Sequence, residues 1–127
     1  MPKINKKVLI VEDESSSFVP LQNVFSDAGF DVILAKDGEE GFAAAKKENP
    51  DIMILDILMP KVDGIEMAKK LKELGISIPA IFLTQLKDEE HIADAMESYR
   101  SDSDYIIKTD ISLDEIVKRA KTKLGIE

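Results

Sequence analysis

A chain of 127 residues, 44% hydrophobic and 33% charged, is long enough for one domain with a real core and too apolar to be disordered. Its net charge of −8, from 25 acids against 17 bases, repels the phosphates of nucleic acids and argues against direct DNA binding. It has no cysteine, hence no disulfide or thiolate metal site, and its first apolar run is too short for a signal peptide or a membrane span. The expectation is a cytoplasmic protein without membrane insertion.

Lys6 and Lys7 lead into Val8-Leu9-Ile10-Val11, a first buried strand that ends in Glu12, Asp13 and Glu14. Ser15 to Ala28 reads as a helix with Phe18, Leu21, Val24, Phe25 and Ala28 on one side. Pro20 lies inside that pattern, so the helix should start late or bend there. Gly29 is suited to a C-terminal cap. Asp31 to Ala35 reads as a second strand. Asp37-Gly38-Glu39-Glu40 has the form of a helix start, and that helix should run to about Glu48, before Pro50.

The stretch from Asp51 to Leu55 is a central strand, apolar throughout after its first residue, as expected for burial on both faces. It runs into Asp56, and Pro60 and Gly64 make the next segment a loop. An acid at the carboxyl end of a buried parallel strand sits where open α/β sheets bind ligands, which favours a functional Asp56 over a helix cap or loop acid. Ile65 to Leu74 is a third helix, stopped by Gly75. Ala80 to Leu83 is a fourth strand ending in Thr84. Lys87 to about Tyr99 reads as a fourth, more polar helix. Tyr105-Ile106-Ile107 is a fifth strand ending in Lys108. Ser112-Leu113-Asp114-Glu115 is a capping box that opens a last helix, with Gly125 as its stop.

Strand and helix thus alternate five times, which predicts a parallel sheet with helices on both faces. Four strand ends carry reactive groups: Glu12 and Asp13, Asp56, Thr84 and Lys108. In a parallel sheet these ends share one edge. Carboxylates gathered there repel one another unless a cation sits among them. Oxygen ligands without histidine or cysteine suit Mg²⁺ or Mn²⁺. With the lysine ammonium and the threonine hydroxyl they form a pocket for a phosphoryl group, beside which a carboxylate can serve as nucleophile. Each residue alone reads more simply as a solvated loop group; the set at one edge does not.

The chain resembles the receiver domains of two-component response regulators. The matching residues are Val8-Leu9-Ile10-Val11-Glu12-Asp13, Leu55-Asp56-Ile57-Leu58-Met59-Pro60 with Asp63-Gly64, Phe82-Leu83-Thr84 and Asp104-Tyr105-Ile106-Ile107-Lys108. The resemblance implies a flavodoxin-like, three-layer (βα)5 fold with strand order 2-1-3-4-5, one receiver domain over residues 1–127 and no output domain. It implies that Asp56 accepts a phosphoryl group from a histidine kinase, a phosphotransfer protein or a small phosphodonor. Glu12, Asp13, Asp56 and the backbone carbonyl of Leu58 would hold Mg²⁺, with Mn²⁺ able to substitute. Thr84 and Lys108 would bond the phosphoryl oxygens, and Tyr105 would be the switch aromatic. A downstream protein would dock on the face of the fourth helix, fifth strand and last helix. The chain would be a signalling switch, not a metabolic enzyme, and a monomer or weak dimer.

Several positions depart from the family pattern. Thr109 follows Lys108 where the family usually has a cis proline, and a trans bond is expected here because a cis bond to a non-proline costs about 2.5–4 kcal/mol. Gln85 stands where a small residue is usual and should narrow access to Asp56, while Leu58 and Leu86 should flank the pocket and exclude water. Ser98 to Asp104 replaces the usual Gly-Ala pair with a polar loop. His91, the only histidine, reads as exposed and inert. Lys118, Arg119, Lys121 and Lys123 read as a solvated face near a helix C-terminus, in preference to a docking patch. Two rivals stand beside this reading: a flavin-binding electron carrier on the same fold, of which Ser15-Ser16-Ser17 is a faint echo, and a degenerate receiver that only binds partners.

Overall fold

The computed structural model of the protein describes residues 5–13, 15–56, 64–84, 103–107 and 112–126. Five parallel strands form one sheet: β1 (Lys7–Val11), β2 (Asp31–Ala35), β3 (Ile52–Asp56), β4 (Ala80–Thr84) and β5 (Ser103–Ile107). Their order is β2-β1-β3-β4-β5, which is the flavodoxin-like arrangement. The described helices are α1 (Ser15–Asp27), α2 (Gly38–Glu48), α3 (Gly64–Glu73) and α4 (Leu113–Lys123). The helix expected between Lys87 and Tyr99 lies outside the described residues, as do His91 and the Lys108–Thr109 bond.

Strand alternation divides the apolar residues between two layers. Leu9, Val11, Met53, Leu55 and Phe82 face one side, where Ala45 of α2 and Met67 and Leu71 of α3 cover them. Val8, Ile10, Ile52, Ile54, Ile81 and Leu83 face the other, under Leu21 and Phe25 of α1 and Ile116, Val117 and Ala120 of α4. These residues of β1, β3 and β4 are at most 2% exposed. The continuous apolar runs of β1, β3 and β4 therefore record burial on both faces.

The ends of the helices follow their local chemistry. Asp37 caps α2 by accepting a hydrogen bond from the Glu40 N–H at 2.9 Å. Ser112 caps α4 by accepting from the Glu115 N–H at 3.2 Å. Gly29, Gly75 and Gly125 follow α1, α3 and α4 with φ of 100°, 76° and 71°, values that a side chain would strain. At the end of α2 the left-handed residue is Asn49, with φ 49° and ψ 61°. Asn is the non-glycine residue best suited to that conformation.

Three sequence expectations change. Of the late start and the bend expected at Pro20, the late start does not occur: the helix begins at Ser15 and keeps Pro20 inside. Burial of Leu21 and Phe25 on the far side of the proline favours helix on through it. The last strand starts at Ser103, two residues before Tyr105, because the ladder to β4 pairs Ala80 with Ser103 and Ile81 with Asp104. Backbone pairing at a sheet edge does not require apolar side chains.

The third change concerns Asp51, which precedes β3 and does not belong to it. Its carboxylate Oδ2 accepts from the Lys7 N–H at 2.8 Å, and its own N–H donates to the Lys7 carbonyl at 2.9 Å. The Lys7 ammonium in turn donates to the Glu48 carbonyl at 3.2 Å, near the end of α2. One acid thus joins the starts of β1 and β3, next to the end of α2. Asp51→Ala orphans the half-buried Lys7 N–H and should cost about 1–3 kcal/mol in urea unfolding. Asp51→Asn retains an acceptor and should lose less.

Candidate functional site at the carboxyl edge of the sheet

Because all five strands are parallel, the carboxyl ends of β1, β3, β4 and β5 lie at one edge of the sheet. The register aligns them. Val11 pairs with Leu55, which sets Glu12 level with Asp56 on the neighbouring strand. Asp56 pairs with Leu83, one residue before Thr84, and Thr84 pairs with Ile107, one residue before Lys108. Glu12, Asp56 and Thr84 therefore lie on neighbouring strands at the same edge, Glu12 level with Asp56 and Thr84 one residue further on.

Glu12 and Asp13 differ sharply in environment. Glu12 is 1% exposed, and its N–H donates to the Ala35 carbonyl at 3.1 Å, extending the β1–β2 ladder by one step. Asp13 is exposed. Burial of a carboxylate is tolerated where it is hydrogen-bonded or paired, so Glu12 is held within the fold while Asp13 faces solvent. Asp56 is the last residue of β3, Thr84 the last of β4, and Tyr105 the middle of β5, opposite Phe82. For these three the backbone is described and the side chain is not. Leu58, Gln85, Leu86, Lys108 and Thr109 lie outside the described residues.

The donor set at this edge is chemically suited to a hard cation. Glu12, Asp13 and Asp56 supply only carboxylate oxygens, the ligands of Mg²⁺ and Mn²⁺. Among the described residues no group of three or more His, Cys, Asp or Glu forms a metal-ligating cluster; the Asp56 side chain is not among them.

Two structural features near the site had no clear sequence signal. The first is Gly41 of α2, buried against Val11, the residue before Glu12. A glycine inside a helix is ordinarily a mild defect, and only the packing gives it a reason. The second is the degree of Glu12 burial, since three consecutive acids read as a solvated loop.

Residues 8–121 match the response regulator receiver domain family. The chain belongs to that family. Receivers generally serve as phosphorylation-dependent signalling switches of two-component systems and bind Mg²⁺ at the phosphorylation site. Among curated proteins, the chain is 46% identical over 87 residues to PhoP, the alkaline phosphatase synthesis transcriptional regulatory protein of Bacillus subtilis, covering 68% of this chain and 36% of that one. It is 31% identical over 127 residues to the transcriptional regulatory protein TrcR of Mycobacterium tuberculosis, covering 95% and 48%. The chain therefore spans less than half the length of these two relatives. Among solved structures, the receiver domain of Francisella response regulator 1452 superposes with a TM-score of 0.85 at 30% identity, covering 94% of this receiver and 96% of that chain. A CheY-like receiver from Methanospirillum hungatei shares the fold with a TM-score of 0.86 at 24% identity, covering 94% of each chain. Among the described residues, no helix of this receiver is long and apolar enough to cross a membrane.

Proposed function

We propose that this receiver is switched by phosphorylation of Asp56. The observation that carries the reading is the strand register, which sets Glu12 level with Asp56 and places Thr84 and the position before Lys108 on the adjoining strands of the same edge. An Asp56 carboxylate oxygen attacks the phosphorus of a phosphohistidine in a kinase or phosphotransfer protein, or of a small phosphodonor. The bond from phosphorus to the donor breaks, and the leaving group takes a proton. Glu12, Asp13, Asp56 and the Leu58 carbonyl would hold Mg²⁺. That cation supplies charge neutralisation for the phosphoryl oxygens. Lys108 contributes a positive point charge and Thr84 a hydroxyl donor. The direct test is phosphoryl uptake by intact mass, with and without Mg²⁺ and with Asp56 replaced.

Phosphorylation then shifts a pre-existing equilibrium. Thr84 moves toward the phosphoryl group and Tyr105 turns inward, two strands' worth of change relayed to the surface of β5, α4 and the 87–99 segment. A downstream protein reads that surface. The protein works in the cytoplasm, as a monomer or weak dimer, and its purpose is signalling.

Reversal requires water to attack the phosphorus of the aspartyl phosphate. Gln85 and Leu58 flank that approach in this reading and make the phosphorylated state long-lived. Gln85→Ala and Leu58→Asn should each shorten the half-time of dephosphorylation severalfold, as followed by intact mass after removal of the donor. An unchanged half-time in both variants would refute the gate.

A further inference from the structure

The carboxyl end of β1 rests on a joint with no spare volume. A Cβ built on Gly41 would lie 2.8 and 3.0 Å from the two γ-methyls of Val11 and 2.7 Å from Sδ of Met67. Real Cβ atoms are essentially never closer than 3.0 Å to such neighbours. Val11 and Met67 are both 0% exposed, so neither has solvent to move into. The joint brings together α2 through Gly41, α3 through Met67 and β1 through Val11. Val11 is the last residue of β1, and Glu12 and Asp13 follow it directly.

The two neighbours of Gly41 differ in how they yield. The Met67 thioether is the flexible end of an unbranched side chain and can swing. Val11 is β-branched and stiff at χ1, so a methyl pressed against both of its γ-carbons moves the backbone instead. That backbone carries the two acids at the start of the site. We infer that Gly41 is a positioning residue for the cation site: the absent side chain sets the depth at which the end of β1 lies and hence the alignment of Glu12 and Asp13 with Asp56. The inference rests on the reading of this edge as a Mg²⁺ site.

The test is Mg²⁺ affinity by titration calorimetry, set against urea stability, in the whole chain. The set comprises the parent, Asp13→Ala, Gly41→Ala, Val11→Ala and the double variant Gly41→Ala/Val11→Ala. Gly41→Ala should weaken Mg²⁺ binding by about tenfold, the low end for changes outside the ligand shell. Val11→Ala removes the two methyls and opens space without pushing, so it should bind close to the parent. The double variant should recover parental affinity although it remains less stable than the parent. A merely structural role predicts that affinity follows stability across the set. Parental affinity in Gly41→Ala, or affinity that follows stability in all variants, overturns the inference. A parent that binds no Mg²⁺, or binding that survives Asp13→Ala, overturns the site reading itself and the inference with it.

Discussion

Incubated with acetyl phosphate and Mg²⁺, the parent protein should gain one phosphoryl group by intact mass, and Asp56→Ala should gain none. The expected effect is all or none, because it removes the nucleophile and not a contributor to its environment. The prediction rests on the strand register. Asp56 is the final residue of the central strand, with β1 and its acids on one side and β4 and Thr84 on the other. Omission of Mg²⁺ should abolish the gain in the parent, since the developing negative charge on the phosphoryl oxygens is then opposed by uncompensated carboxylates. Lys108→Ala should slow uptake and preserve Mg²⁺ binding, which separates its role from that of Asp13. A gain that persists in Asp56→Ala would place the acceptor elsewhere. No gain in the parent would point to a donor gate at Gln85 or to a receiver that only binds partners, and Gln85→Ala in the same assay decides between them.

Phe25→Ala should be the most destabilising of the simple core truncations, with a loss of about 3–5 kcal/mol in urea unfolding. Phe25 is 0% exposed and packs edge-on against Phe30, with ring centroids 5.2 Å apart and planes at 78°. The pair closes the layer beneath α1, where the chain turns from helix to β2, and the Phe30 N–H bonds back to the Phe25 carbonyl at 3.1 Å. Truncation therefore removes a buried ring, the edge-to-face contact and the anchor of the turn together. A domain of this kind has about 5–15 kcal/mol in total, so the variant loses a large share of its stability. Phe25→Leu should lose much less, because it keeps most of the volume. A Phe25→Ala loss under about 1 kcal/mol, the scale of a single methylene, would show that α1 collapses over the vacancy and that this layer is not tightly packed.

The alternation of short apolar runs with amphipathic segments was enough to indicate the parallel sheet. Runs such as Val8 to Val11 and Ile52 to Leu55 have no polar face to turn to solvent, and only a sheet covered on both sides hides them. Helix ends were equally legible at Asp37, Ser112, Gly29, Gly75 and Gly125, because caps are local chemistry. The grouping of the candidate site residues follows from a related argument. In a parallel sheet, the carboxyl ends of the strands share one edge by topology alone, which is why the sequence groups Glu12, Asp13, Asp56, Thr84 and Lys108. Other features were decided only by the tertiary structure. The two polar residues that open β5 belong to the strand because β4 offers them backbone partners. Asp51 left the strand its sequence placed it in because the Lys7 N–H needed an acceptor. Gly41 looked like a helix defect until Val11 and Met67 came against it from two other elements. Periodicity and caps involve neighbours within one turn or one pleat, whereas these features depend on contacts between residues far apart in the chain, and only the folded chain brings those together.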